Sequence, residues 1–416
     1  MTDKVGIEYI GFSTSKAVIS LEELAKKKKI DISKYTKGLG QDKMSVITQK
    51  EDIITLGFEA VMDAIDISRK NNKTNNFFED VELLLFATES AVDNSKSSAC
   101  ELYGLLKEKF NIKQDCRCLE VKHACYGGTG ALMLAKDFVK ANQNKKALVV
   151  MSDIAFYGLK TSGEPTQGCG AVAVVVSNKP NIATFCNDNV YITENKNDFY
   201  RPIFCQEPIY DGHNSIKCYL SMFQDAVKKY KEKKENKNND KNTFDYLITH
   251  QPFTKMLDKC CKEAGIDNIT NENDVIKKYN RVIGNSYTAS LYIGLLSLLE
   301  NSNNNLANKK IAMFSYGSGA ECELFGIDVI DGYKNYLNGE IHTKKLDDRK
   351  ELNYREYQKC LKDFKKRETK LNWMSKKINV KNDKKDNKNK VFPEFDNNIE
   401  LTKICNGIRY YNTKID

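Results

Sequence analysis

The chain has 416 residues, 41% of them hydrophobic and 29% charged, a balance that suits one large or two medium globular domains and excludes a disordered chain. No apolar run approaches the roughly 18 residues of a membrane span, and the longest, GAVAVVVS (170–177), has the length of a buried strand. The net charge of +9 suggests nucleic acid, but the lysines gather in Lys/Asn tracts such as 231–242 and 381–390 that read as solvated loops, so an anionic small substrate is expected instead.

The 13 cysteines are odd in number and lack paired metal-type spacing, so neither a disulfide framework nor a metal site is expected. With no leader legible in MTDKVGIEYIGF, a soluble protein of the reducing cytoplasm is expected.

In chain order, 5–12 reads as a strand and 21–28 as a short helix with a charged end. The glycines of KYTKGLGQDKMSV (34–46) mark a turn, and 51–68 repeats Ile54, Leu56, Ala60, Val61, Ala64 and Ile65 at helical spacing. VELLLFAT (81–88) is a near-continuous apolar strand, the pattern of a parallel-sheet centre, and it ends at Glu89. A helix follows from about Lys96. CLEVKHACYGGTGALMLAK (118–136) reads as a strand ending in a cysteine, a small-residue turn and an apolar helix. ALVVMSD (147–153) and GAVAVVVS supply two more buried strands, the second preceded by the turn SGEPTQGCG.

The second half repeats the alternation. A helix spans 215–231, and the strand FDYLIT (244–249) delivers His250 into QPFTKMLDKCCKEAG, which turns at Pro252 and becomes helical. GNSYTASLYIGLLSLLEN (284–301) is an apolar helix, and KIAMFSYGSGAECELFGI (310–327) a strand, a glycine turn and a strand. From about 340 the chain is Lys-rich, with one helix at 354–366, then a loop in which Trp373 serves as a packing anchor. This order predicts an α/β layered fold with a mainly parallel sheet, divided as 1–178 and 179–416.

Glu89, Cys125 and His250 fall at the carboxyl ends of predicted buried strands, the edge where open α/β sheets bind ligands. A thiol at a helix start meets unpaired N–H groups and the positive end of the helix dipole, which favour thiolate. Gly127, Gly128, Thr129 and Gly130 leave room around it. Each residue also has a plain structural reading: Glu89 as a helix-start carboxylate, His250 or His123 as a satisfied core histidine, Cys125 as an inert core thiol. The residues alone leave both readings open. A strand that ends in a reactive side chain and enters a helix occurs twice, which suggests two similar halves facing one site.

The stretches VGIEYIGFSTS, KYTKGLGQDKM, ATESAVD, CYGGTGALMLAK, SGEPTQGCGAVAVVV, NDFYRP, DGHNSIKCYL, HQPFTKM, GNSYTASLY and FSYGSG, in order across about residues 5 to 330, together resemble the hydroxymethylglutaryl-CoA synthases of the thiolase superfamily. The Lys-rich tail departs from that pattern. The resemblance implies a thiolase-like fold of two βαβ-type halves layered α/β/α/β/α, and a homodimer. It implies that Cys125 carries an acetyl group from acetyl-CoA, that Glu89 removes a proton from the acetyl methyl so that it attacks the ketone of acetoacetyl-CoA, and that water releases the product. His250 would hydrogen-bond the acetoacetyl group, and N–H groups near Cys125 and Ser318 would face the enolate. Tyr157, Ser162, Thr166, Ser215, Asn285 and Ser318 would line the acyl and pantetheine pocket, with Lys255 and Lys259 meeting CoA phosphates. The CoA thioesters are substrates, and no resident cofactor is implied.

Two other readings compete: the same condensation on an acetyl-acyl-carrier protein, as in polyketide β-branching relatives, and a non-catalytic scaffold subunit. Thiolase itself would carry a second reactive cysteine where this chain has YGSG, and the paired histidines of ketoacyl synthases are not evident among its four histidines.

Overall fold

The apolar runs become strands covered on both faces. β5 (Gly168–Ser177) is buried at every position, which is why it reads as an unbroken apolar stretch rather than an alternating one. The computed structural model describes residues 4–71, 77–235, 244–264, 272–375 and 397–414. Within them β5 joins β1 (Gly6–Thr14), β2 (Val81–Ala87), β3 (Arg117–Val121), β4 (Lys146–Ala155), β6 (Ala183–Phe185), β7 (Val190–Thr193), β8 (Tyr246–Thr249), β9 (Lys310–Gly317) and β10 (Glu321–Val329) in a ten-stranded sheet. The order is β8-β9-β10-β6-β1-β5-β4-β2-β3, with β7 beside β10.

The sheet is mixed rather than mainly parallel. β2 runs parallel to β3 and β4, and β8 to β9, while the remaining pairs are antiparallel. Alternation misleads here because only some connections carry crossover helices. The GSG turn between β9 and β10 is too short to reverse direction twice, so it makes a hairpin. The two halves nonetheless correspond. Each has parallel strands aimed at the site beside antiparallel neighbours, and short β6 joins them by pairing with both β1 and β10.

Helices cover both faces: α1 (Leu21–Lys28), α2 (Ile53–Asn71), α3 (Ser98–Phe110), α4 (Gly127–Ala141), α5 (Gly212–Glu235), α6 (Lys255–Ala264), α7 (Ser290–Asn301), α8 (Gly339–Asp347) and α9 (Tyr354–Arg367). Side chains of α4 and α7 share the larger apolar cluster, and those of α2 and α3 belong to a second one on the other side of β4 and β5. Gly11 lets α2 lie on β1, since a Cβ there would come within 2.2 Å of the Ala60 carbonyl oxygen. The expected turn at 34–46 also contains a short helix, Ser33–Thr36, and a strand, Lys43–Ser45.

The Lys-rich end is folded onto this body. His342 is fully buried between Asp63 (2.7 Å) and Glu300 (2.8 Å), one carboxylate on each ring nitrogen. Despite its burial, these partners hold the imidazolium pKa up at about 9. That contact ties α8 to α2 and α7. Beyond α9 the predicted loop is instead a small sheet of β11 (Trp373–Met374), β12 (Ile399–Cys405) and β13 (Ile408–Thr413). It is anchored where Arg409 meets Asp52 at 2.9 Å. Trp373 packs against the Arg367 guanidinium, 5.7 Å from its ring centre, in keeping with an anchoring role.

Candidate active site

Three strand ends converge. β2 runs out into Thr88 and Glu89, β3 into the turn before α4, and β8 into His250. The Cys125 turn is tight: the Gly127 N–H donates to the His123 and Ala124 carbonyls at 3.1 and 3.2 Å, and Ala124 sits at φ +42°, a region a Cβ-bearing residue rarely occupies. Gly317 of the YGSG turn presses against it, since a Cβ there would lie 2.6 Å from both the backbone nitrogen and Cβ of Tyr126. Gly317→Ala is therefore expected to push the two turns apart, at a cost of about 1–3 kcal/mol in denaturant unfolding and at least tenfold in turnover.

The Cys125 thiol donates to Glu89 Oε1 at 3.2 Å. It is not the resting thiolate that its helix-start position predicts. Burial and the adjacent Glu89 charge push its pKa well up, and α4 begins only at Gly127, after Tyr126. Desolvation and a neighbouring carboxylate outweigh a dipole of about half a charge.

Glu89 is itself pushed up to about 8, first by burial and then by Asp153. Asp153 is fully buried at the carboxyl end of β4. It accepts from Thr88 Oγ1 (2.8 Å), the Glu89 N–H (2.9 Å), the Ser90 N–H (3.0 Å) and the Thr288 N–H (3.1 Å). It thereby clamps the Glu89 loop to the segment before α7. Arg201 reaches the Glu89 carbonyl oxygen and opposes the rise in its pKa.

His250 is 2% exposed, and its Nε2 has no hydrogen-bond partner among the described residues. Burial pushes its pKa down to about 3, so the ring is neutral. Tyr219 donates to its carbonyl oxygen at 2.7 Å.

A cavity of about 680 Å³ opens over Cys125 and His250, lined also by Tyr157, Ser162, Thr166, Ser215, Asn285 and Ser318, with Glu89 in contact with Cys125 but outside the lining. Asn285 donates to the Tyr157 hydroxyl at 3.0 Å. Asp198 accepts from Tyr316 (2.7 Å), Ser215 (3.4 Å) and the Gly319 N–H (3.1 Å), fixing the far wall. Lys255 and Lys259 do not line the cavity. Lys255 pairs with Asp258 at 3.1 Å, and both lysines lie partly exposed on α6.

Sequence reading missed Asp153, Asp198, Arg201 and the aromatic wall of Phe199, Tyr210 and Tyr287. Asp153 carried the signal that singled out Glu89, a carboxylate ending an apolar strand, whereas Arg201 and Asp198 lie in a stretch with no periodicity to place them.

A cysteine-bearing turn, a carboxylate and a histidine at the sheet ends of two corresponding halves are the arrangement of a thiolase-like condensing enzyme. Models of the hydroxymethylglutaryl-coenzyme A synthase N-terminal and C-terminal domains match residues 1–181 and residues 189–266 and 262–392. The second match extends well into the Lys-rich region. The Enterococcus faecalis hydroxymethylglutaryl-CoA synthase is 38% identical over 361 residues, 85% of this chain and 90% of that one. A crystal structure of HMG-CoA synthase complexed with CoA superposes with a TM-score of 0.84 at 31% identity, covering 99% of this chain and all of that one. The curacin biosynthetic pathway HMG synthase, 24% identical with a TM-score of 0.82 over 99% of this chain and all of its own, shares the fold. The chain belongs to the hydroxymethylglutaryl-CoA synthase family and is an acyl-CoA condensing enzyme of the acyltransferase type.

Proposed function

We propose that the chain condenses acetyl-CoA with acetoacetyl-CoA to give 3-hydroxy-3-methylglutaryl-CoA and CoA, with acetyl-Cys125 as intermediate. The observation that carries this is the 3.2 Å contact between a protonated thiol and a carboxylate whose pKa lies near neutrality, at a cavity that His250 also faces.

The thiol proton passes to Glu89 as sulfur attacks the acetyl thioester, and CoA departs as its thiol. Glu89, again a carboxylate, takes a proton from the acetyl methyl. The carbanion adds to the ketone carbon of acetoacetyl-CoA, and the proton on Glu89 neutralises the new alkoxide. Water then cleaves the acyl–sulfur bond and restores the Cys125 thiol. His250, neutral and with Nε2 unpartnered, is placed to hydrogen-bond the acetoacetyl group without bringing a charge. The closeness of the Ser318 turn to the Cys125 turn supports N–H groups there as partners of the enolate oxygen. Tyr157, Ser162, Thr166, Ser215 and Asn285 hold the acyl and pantetheine parts. Lys255 and Lys259 meet CoA phosphates only outside the cavity, and Lys255 only by leaving Asp258. The chemistry requires no resident cofactor.

The decisive assay follows CoA release from acetyl-CoA plus acetoacetyl-CoA, beside a parallel reaction with acetyl-acyl-carrier protein. Strong preference for the carrier protein would overturn the choice of donor, and absence of acetylated Cys125 by mass spectrometry would favour a non-catalytic scaffold.

We place the enzyme in the cytoplasm, supplying the mevalonate route to isoprenoids, as a homodimer. The support for self-association is β3, an edge strand with a ladder side open and Leu119 50% exposed. Leu119→Arg is expected to weaken self-association at least tenfold in sedimentation equilibrium; an unchanged dimer would move the interface elsewhere.

A further inference from the structure

The Lys-rich end of the chain reaches the cavity wall from behind. Tyr357 is a buried residue of α9, and its hydroxyl stands between two buried side chains of the segment that runs from Tyr157 to Gln167. It donates to Glu164 Oε1 at 3.0 Å and accepts from the Gln167 side-chain amide at 3.0 Å. Each partner in turn holds the backbone of that segment. Gln167 Oε1 accepts the Tyr157 N–H at 2.8 Å and the Gly158 N–H at 3.1 Å, while Glu164 Oε2 accepts the Lys160 N–H at 2.5 Å and pairs with Lys28 of α1. The segment needs holding, because Gly158 and Lys160 both lie in the left-handed region, at φ +84° and +65°, a conformation a lysine adopts only at a cost. Phe156, just before it, packs edge-on against Phe364 of the same helix with ring centres 5.4 Å apart.

We propose that Tyr357 is a positioning residue for the condensation, and that through Gln167 and Glu164 it fixes the segment that brings Tyr157, Ser162 and Thr166 to the cavity. A hydroxyl suits this place because it gives one proton and accepts another. With the Tyr357 oxygen as acceptor, the Gln167 amide turns its N–H groups to α9 and its oxygen to the two backbone donors. A flipped amide presents donors to donors. Phenylalanine keeps the ring and removes both contacts, so Glu164 Oε1 and the Gln167 amide each lose a buried partner.

The Glu89 loop is held separately, by Asp153, and Glu89 itself meets the Cys125 thiol; Tyr357 hydrogen-bonds to none of these. The inference rests on the proposed condensation for its kinetic form, and it places the effect on substrate binding more than on the chemical step.

The test compares the wild type with Tyr357→Phe and, as a control on the same helix, Tyr354→Phe. Tyr357→Phe is expected to raise the KM for acetyl-CoA about fivefold to tenfold with kcat within about twofold. It should also speed amide hydrogen exchange in a peptide spanning 157–160 while peptides of α9 keep their protection. Tyr354→Phe should change neither. Exchange is read without substrate, so it decides the positioning even if the wild type condenses other thioesters. A wild-type measurement guards against a variant that does not fold: in low urea the 157–160 amides should open together with those of α9. The proposal is overturned if those amides exchange at the wild-type rate in Tyr357→Phe, if they open in urea while α9 stays closed, or if Tyr354→Phe has the same effects. A fall in kcat with KM unchanged, the mark of a smaller folded fraction, overturns it as well.

Discussion

Cys125→Ala is expected to lower condensation by about 10⁴-fold or more and to leave no acetylated protein after exposure to acetyl-CoA, because in the proposed mechanism its sulfur is the atom that carries the acyl group. Cys125→Ser is the more informative variant. Its hydroxyl can keep the hydrogen bond to Glu89 Oε1, which the thiol makes at 3.2 Å, so the geometry survives while the nucleophile weakens and its ester becomes harder to cleave. If geometry alone set the rate, the serine variant would retain a large share of turnover. The expected outcome is a loss close to that of alanine, with unfolding free energy within about 1 kcal/mol of the wild type for both. Stopped-flow acylation and peptide mass spectrometry separate the two cases. Acetylation at another cysteine would remove Cys125 from the chemistry.

Much of this site was legible before the structure because polar residues that end apolar strands stand out against their neighbours. Glu89, Cys125 and His250 each follow a buried strand, and the structure brings Glu89 and Cys125 into contact while His250 faces the same cavity. What could not be read is the balance of energies there. The helix-start rule favours a thiolate at Cys125, but burial and Glu89 decide the matter, and both depend on what packs against the turn from other parts of the chain. Strand direction failed for a related reason. β4 and β5 look like the parallel strand β2 in composition, and only the path of the intervening loop makes that pair antiparallel. Lys255 and Lys259 come from the resemblance alone, because nothing in their spacing on α6 distinguishes a phosphate-binding lysine from a solvated one. The small C-terminal sheet was hidden because its outer strand alternates exposed and half-buried residues within a Lys-rich region.

Glu89→Gln separates the cost of the carboxylate proposed as the base from its use. The amide keeps the shape of the side chain and can still accept from Cys125, but it cannot take a proton, so turnover should fall by about 10³-fold to 10⁴-fold. Wild-type condensation should rise with pH through about 8 as Glu89 loses its proton, and the variant should lose that limb. Stability should move in the opposite direction. Glu89 is held above the ordinary carboxylate range by burial and by Asp153. The folded state therefore binds a proton that the unfolded chain has released between about pH 4.3 and 8, and stability declines across that window. Burial raises Asp153 as well, but its hydrogen bonds from Thr288, Thr88 and Ser90 oppose that rise, whereas burial and the Asp153 charge act together on Glu89. Glutamine carries no such charge, so at pH 9 Glu89→Gln should be more stable than the wild type by about 1–3 kcal/mol, with the difference shrinking towards pH 5. Urea unfolding at the two pH values measures it. A variant that keeps the wild-type activity limb near pH 8 would assign that titration to another group, whereas one that loses the limb without gaining stability at pH 9 would mean that Glu89 is less desolvated than its packing indicates.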